Sequence, residues 1–171
     1  MHTMANSPLV FAFCEEDKAL VRAEALRRQY VNELKGLKGR NGGPANGDRA
    51  LFFHKLGAAG ELAVADYLQL REFLYRETEA KRGSCDLPPN IDIKTRSRHD
   101  YDLICQLDEK PGKILVLVTI QNKITLLHGW ISSEDAMKEQ WRKDPAGGRP
   151  AYFVPQSALL PLVDLRHAEM F

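Results

Sequence analysis

No apolar run in the chain approaches the ~20 residues that a helix needs to cross a bilayer. The first residues also lack the charged start, apolar stretch and small-residue cleavage site of a secretory signal. The expectation is a soluble protein kept inside the cell, cytoplasmic or nucleoid-associated. Cysteine is scarce: Cys14, Cys85 and Cys105 are an odd number at wide spacing, with no Cys-x-x-Cys and no Cys/His pairing. That argues against a disulfide framework and the usual structural zinc sites, and fits a reducing compartment. Neither sign of charge dominates, 24 basic residues standing against 23 acidic, so net charge names no partner. The one glycine-rich loop lacks a Gly-Lys-Ser/Thr ending, which removes the phosphate-binding loop of nucleotide hydrolases. Internal repeats and low-complexity tracts are absent as well.

What is present suffices for a core. A chain of 171 residues can bury roughly 70% of its unfolded surface. Residues 15–38 carry Leu20, Ala23, Leu26, Tyr30, Val31, Leu34 and Leu37 at three- and four-residue steps, which predicts an amphipathic helix with an acidic start and a basic end. Residues 39–47, rich in glycine, break it. Asp48 then caps a second helix running to about Leu70, with Phe52, Leu56, Ala59, Ala63, Val64 and Tyr67 toward the core. Between Arg27 and Lys55 seven basic residues face only Glu33 and Asp48, an excess that could serve a polyanion or form an ordinary solvated face. Met1 to Phe13 reads as a loose arm.

Strand signals follow at residues 73–75, 91–95, 103–107, 114–120, 124–131 and 152–154, with a short helix after Ser132 and a last helical turn from about Gln156. The run at 114–120 is continuously apolar, as in a central strand covered on both faces. The fold class is therefore α/β (α+β), a sheet with helices around it. Residues 1–48 form an arm, a basic helix and a loop, and residues 49–171 the principal domain.

The informative stretch is residues 85–95. Leu87-Pro88-Pro89-Asn90 is a turn by composition, and Ile91, Ile93 and Thr95 alternate with Asp92 and Lys94. In a strand, Asp92 and Lys94 share one face while the isoleucines pack on the other. A chain reversing over the prolines returns Asp86 to Asp92. The acid-x-Lys triplet alone decides nothing, since Glu16/Lys18, Glu33/Lys35, Glu79/Lys81 and Asp108/Lys110 repeat it. Those four read as solvated charge; only the triplet at 92–94 has an apolar strand, a preceding turn and a third carboxylate. Gly57-Ala58-Ala59-Gly60-Glu61 adds a small-residue helix patch that allows close approach to a sheet, bringing Glu61 near the strand.

The order Gly-x-x-Gly-Glu helix, Asp, Asp-x-Lys strand, then apolar strands ending in Gly-Trp-Ile-Ser resembles the PD-(D/E)XK nuclease superfamily over residues 57–130. Two departures are Cys85 where the family name has Pro, and Asp92 where Glu is more usual. The resemblance implies a restriction-endonuclease-like central mixed sheet flanked by helices, with residues 1–48 lying outside it. It also implies a Mg²⁺-dependent phosphodiesterase, with Mn²⁺ able to substitute, acting as a DNA endonuclease with RNA as another substrate class. Asp86 and Asp92 would be metal ligands, Glu61 a further ligand directly or through water, and Lys94 the residue that positions water and stabilises transition-state charge. Arg40, Lys81, Arg82, Arg96 and Arg98 would contact phosphates. The basic N-terminal helix would be either a DNA clamp or the dimerisation element of a homodimer. The rival is a non-catalytic nucleic-acid-binding or assembly protein on the same fold.

Overall fold

A helical period governs the chain to residue 67 and an alternating one takes over at residue 91. The computed structural model describes residues 7–36, 47–76 and 85–168. In chain order the elements are β1 (Leu9–Phe11), α1 (Glu15–Leu34), α2 (Gly47–Tyr67), β2 (Ile91–Arg96), β3 (Leu103–Cys105), β4 (Ile114–Gln121), β5 (Ile124–Ser132), α3 (Ser133–Ala136), β6 (Arg142–Lys143), β7 (Ala151–Val154) and α4 (Leu162–Ala168). Short 3₁₀ turns occupy Arg71–Phe73, Glu139–Trp141 and Gln156–Ala158.

The class is α+β. Its larger sheet is mixed, in the order β1-β5-β4-β2, with β2 parallel to β4 and the other pairs antiparallel. A small antiparallel sheet runs β3-β7-β6. The β4–β5 hairpin closes at Asn122 and Lys123, both at positive φ, as a tight two-residue turn demands. Residues 115–119 of β4 are all buried, as a doubly covered strand requires. Val116 and Val118 pack with Ala63 and Val64 of α2 and Leu165 of α4; Leu115 and Leu117 pack with Leu103, Cys105 and Val154 of the small sheet. Each fully buried Val or Leu contributes on the order of 1.5–3 kcal/mol. α2 and α4 thus cover one face of the larger sheet, and the second sheet, with α3, covers the other.

Four local expectations are corrected. Leu9–Phe11 is not a loose arm: it pairs with β5, Leu9 opposite Leu127. Phe73-Leu74-Tyr75 is not a strand; Tyr75 stands at φ 55°, and its hydroxyl donates to Ala58 O, so the aromatic segment folds over the helix pair. Phe52 is 51% exposed, outside the core that Ala63 and Val64 reach. In α1 the stripe containing Leu26, Tyr30 and Leu34 faces solvent, while Asp17, Val21, Glu24 and Ala25 are the buried residues. Ion pairs explain that reversal. Asp17 pairs with Arg71, and Arg28, held by Glu24, pairs with Glu61 of α2, so α1 turns its charged side inward.

α1 itself, at Glu15–Leu34, has no basic residue in its last turn. Among the described residues, no helix is long and apolar enough to cross a membrane.

Candidate functional site

Among the described residues β2 is an edge strand, its one neighbour in the sheet being β4. Its alternation works as the sequence requires. Ile91 and Ile93 pack into the core under α2, while Asp92 and Lys94 lie opposite Leu115 and Leu117, on the face toward the small sheet. The turn over Pro88 and Pro89, joined by a cis peptide bond, closes with Ile91 N donating to Leu87 O at 2.9 Å and Asp86 N donating to Ile91 O at 3.0 Å. That places the Asp86 carboxylate at the open edge of β2, where Oδ2 accepts Ile93 N–H at 2.7 Å.

Glu61 arrives from the helix side. Gly60 touches β2 so closely that a Cβ there would stand 1.9 Å from Thr95 Oγ1 and 3.0 Å from Thr95 Cβ. Glycine is therefore what lets α2 lie on the strand and bring Glu61 to it. The two oxygens of Glu61 accept from Arg28 Nη1 at 2.9 Å and Nη2 at 2.5 Å. Burial opposes the Arg28 charge, but Glu61 and Glu24 outweigh that and hold its pKa above the usual value. Burial, then the nearby Glu61 charge, raises the Tyr75 phenol, whose ring lies 5.5 Å from the guanidinium carbon.

Asp86 is the most perturbed carboxyl of the site. Burial of its carboxylate, then repulsion from Glu61 and Asp92, pushes it up to about 7, against the lowering effects of the Ile93 N–H and Lys94. The residue as a whole keeps an exposed edge, so solvent moderates this rise.

Asp92 is 8% exposed. Lys113 Nζ meets its Oδ2 at 2.7 Å and Lys94 Nζ lies 3.8 Å from the same oxygen. Oδ1 is buried without a hydrogen-bond partner. Lys94 Nζ bonds Glu109 Oε2 at 2.8 Å, and Lys113 Nζ lies 3.2 Å from Glu109 Oε1. The result is an alternating ring of two carboxylates and two amines. Burial raises Glu109, but hydrogen bonds and charge from Lys94 and Lys113 bring it below its ordinary value. Burial likewise opposes Lys113, while Asp92 and Glu109 hold its pKa up.

Four residues of this site lie outside the sequence reading: Glu109, Lys113, Arg28 and Tyr75. Glu109 and Lys113 belong to the 106–113 connection, pinned where Asn90 Nδ2 donates to Gly112 O and Lys113 N to Ser133 Oγ. That connection was legible only as a turn.

Of the expected phosphate contacts, Arg40, Lys81 and Arg82 lie outside the described residues. Arg96 and Arg98 both approach the Tyr101 ring, at 4.6 Å and 5.2 Å, and Arg98 pairs with Asp100 at 2.9 Å. His99 belongs to the turn after β2, where Nδ1 shares a 2.7 Å hydrogen bond with Thr119 Oγ1. Trp130 packs in the core and donates to Pro161 O; Trp141 packs against the small-sheet cluster.

The donors suit a hard divalent cation, because they are all carboxylate oxygens. Asp92 Oδ1 is an orphaned buried acceptor, and Asp86 is a carboxyl whose neighbours disfavour its charge, as expected of ligands that a cation would relieve. Arg28 meanwhile occupies both Glu61 oxygens. Among the described residues, no three His, Cys, Asp or Glu side chains stand together as a metal-holding group. Asp86 and Asp92 are then the two carboxylates left to offer, a number that Mg²⁺ accepts. Compared with known proteins, the chain matches no family model, no curated protein and no solved structure.

Proposed function

We propose that the chain is a metal-dependent nuclease of the PD-(D/E)XK type, with a restriction-endonuclease-like fold, acting as an endonuclease on DNA. The observation that carries this reading is the meeting at β2 of Asp86, at its open edge and pushed up to about 7 first by burial and then by Glu61 and Asp92, with Asp92, whose Oδ1 is unpartnered, and Lys94 on the adjoining strand face. Asp86 and Asp92 would hold Mg²⁺ or Mn²⁺. Glu61 sits nearby under the control of Arg28. The ion, when bound, supplies positive charge that neutralises the scissile phosphate and acidifies water.

The chain's own groups do the rest. Asp86 gives up its proton when the site is loaded near neutral pH. Lys94, resting on Glu109, turns its Nζ donors toward the attacking water and the charge developing on the phosphoryl oxygens. Glu109 and Lys113 are positioning residues: they keep Lys94 and Asp92 extended on the strand face. Arg96 and Arg98, next along the chain, bind flanking phosphates without reading sequence.

One observation favours the rival reading, a non-catalytic nucleic-acid-binding or assembly protein. The ring of Asp92, Lys94, Glu109 and Lys113 is internally neutral and has stability value with no substrate at all. The two readings separate when purified protein is mixed with supercoiled plasmid and with single-stranded DNA, in Mg²⁺, Mn²⁺ or chelator. Metal-dependent nicking supports the nuclease; salt-sensitive retardation of DNA without cleavage under any metal replaces it with the binding protein.

A further inference from the structure

The outward face of α1 is more apolar than a solvated helix face should be. Ala19, Ala23, Leu26, Tyr30 and Leu34 are all exposed, the last three at 57%, 62% and 69%. At 3.6 residues per turn the five fall within about 80° of arc, opposite the buried Asp17, Val21, Glu24 and Ala25. The connections on either side of α2 have little to cover them: residues 77–84 hold no large apolar side chain, and residues 37–46 hold only Leu37.

We infer that this stripe is the contact face of a homodimer, with α1 packed antiparallel against α1 of a second copy. The order of sizes along the helix selects that occupant. The small residues, Ala19 and Ala23, lie in the N-terminal half; the large ones, Leu26, Tyr30 and Leu34, follow. A two-fold axis crossing between positions 26 and 27 sets Tyr30 of one copy over Ala23 of the other and Leu34 over Ala19. Large residues then meet small ones at the levels on either side of the axis, where Leu26 meets its own copy, which is how interdigitating helices fill space.

The ground beneath Ala23 is already concave. An open groove of ≈ 470 Å³ runs between α1 and the 71–75 segment, lined by Leu20, Ala23, Arg27, Leu74 and Tyr75 among others. Tyr30 of the second copy would enter it. Charge agrees with the same direction. Arg22 and Glu33 stand on one shoulder of the stripe, and an antiparallel mate brings Arg22 of each copy within a turn of Glu33 of the other. A parallel mate would instead stack Arg22 on Arg22 and Tyr30 on Tyr30.

Sedimentation velocity from about 1 to 200 μM, on the full chain, tests this without reference to nuclease activity. A concentration-dependent dimer is expected, and Leu26→Lys or Tyr30→Glu, at exposed positions, should weaken it at least about tenfold while leaving the thermal melt of the monomer unchanged. Direction is read by disulfide trapping in a Cys14→Ser background. Leu26→Cys, next to the axis, should cross-link. Ala19→Cys alone should not, its two copies lying roughly 22 Å apart along the helices, yet it should cross-link when combined with Leu34→Cys. A wild type that stays monomeric throughout overturns the proposal and leaves the stripe to a different protein. A dimer indifferent to both substitutions, or trapped as readily at Ala19 as at Leu26, overturns the interface or its direction.

Discussion

Asp86→Asn is expected to stabilise the metal-free protein at neutral pH. The Asp86 carboxyl is raised from 3.8 to about 7, first by burial and then by the charges of Glu61 and Asp92. A carboxyl whose folded pKa exceeds its unfolded one contributes stability in full below the unfolded value, near pH 4, and loses it as pH climbs through about 7. Above that, the ionised group strains the fold. The full displacement corresponds to a ceiling of about 4 kcal/mol. Because the residue keeps an exposed edge, screening reduces this to about 1–2 kcal/mol. Asparagine keeps an oxygen to accept the Ile93 N–H and removes the charge.

Thermal melts in chelator across pH 4–9 should therefore show the variant and the wild type together near pH 4, and the variant ahead by ~3–6 °C at pH 8. Added Mg²⁺ should raise the wild type and leave the variant where it was, since the cation relieves the charge that asparagine lacks. A variant less stable than wild type at pH 8, or a difference that ignores pH, would refute the crowding of carboxylates on which the site rests.

Gly60→Ala should cost about 1–3 kcal/mol, because the new methyl meets the Thr95 side chain and α2 must lift off β2. Its crystal structure or a drop in denaturation midpoint would check this, and an unchanged midpoint would contradict the close approach. Arg28→Met should destabilise by about 2–3 kcal/mol at pH 7, since Glu61 would lose its guanidinium and Glu24 would keep only that of Arg27. Melting at pH 7 and pH 4 measures it, with the loss shrinking as the carboxylates protonate. Lys113→Met should tighten Mn²⁺ binding several-fold by removing the cation 2.7 Å from Asp92, whereas Asp92→Asn should abolish it; calorimetric titration compares the two.

How much could be read from residues alone depended on the range of the interaction. The Asp86 to Lys94 segment was legible because every determinant is local: two prolines and an asparagine reverse the chain, and strict alternation sorts Asp92 and Lys94 from the isoleucines. The β4–β5 hairpin was legible for the same reason. The partners of the site were not. Glu109 lies 15 residues from Lys94, and Lys113 21 residues from Asp92, inside a connection whose composition signals only a turn. Arg28 reaches Glu61 across 33 residues, and only the packing of α1 on α2 joins them.

α1 shows a different limit. Periodicity finds a helix and its apolar face, but assumes that this face is the one covered within the chain. Here buried ion pairs through Asp17, Glu24 and Arg28 fix the orientation, and the apolar face is left outside. β1, at three residues, is too short for any pattern to declare it, and exists because β5 offers an edge.

The most direct test of the central claim is single-turnover cleavage of a DNA duplex in Mg²⁺ by wild type, Asp92→Asn and Lys94→Ala, with DNA affinity measured alongside. Lys94→Ala is expected to lose at least about 10²-fold in rate while affinity changes little, and Asp92→Asn to be as slow with its metal dependence gone. Cleavage by either variant at the wild-type rate would contradict a hydrolytic centre on the edge of β2.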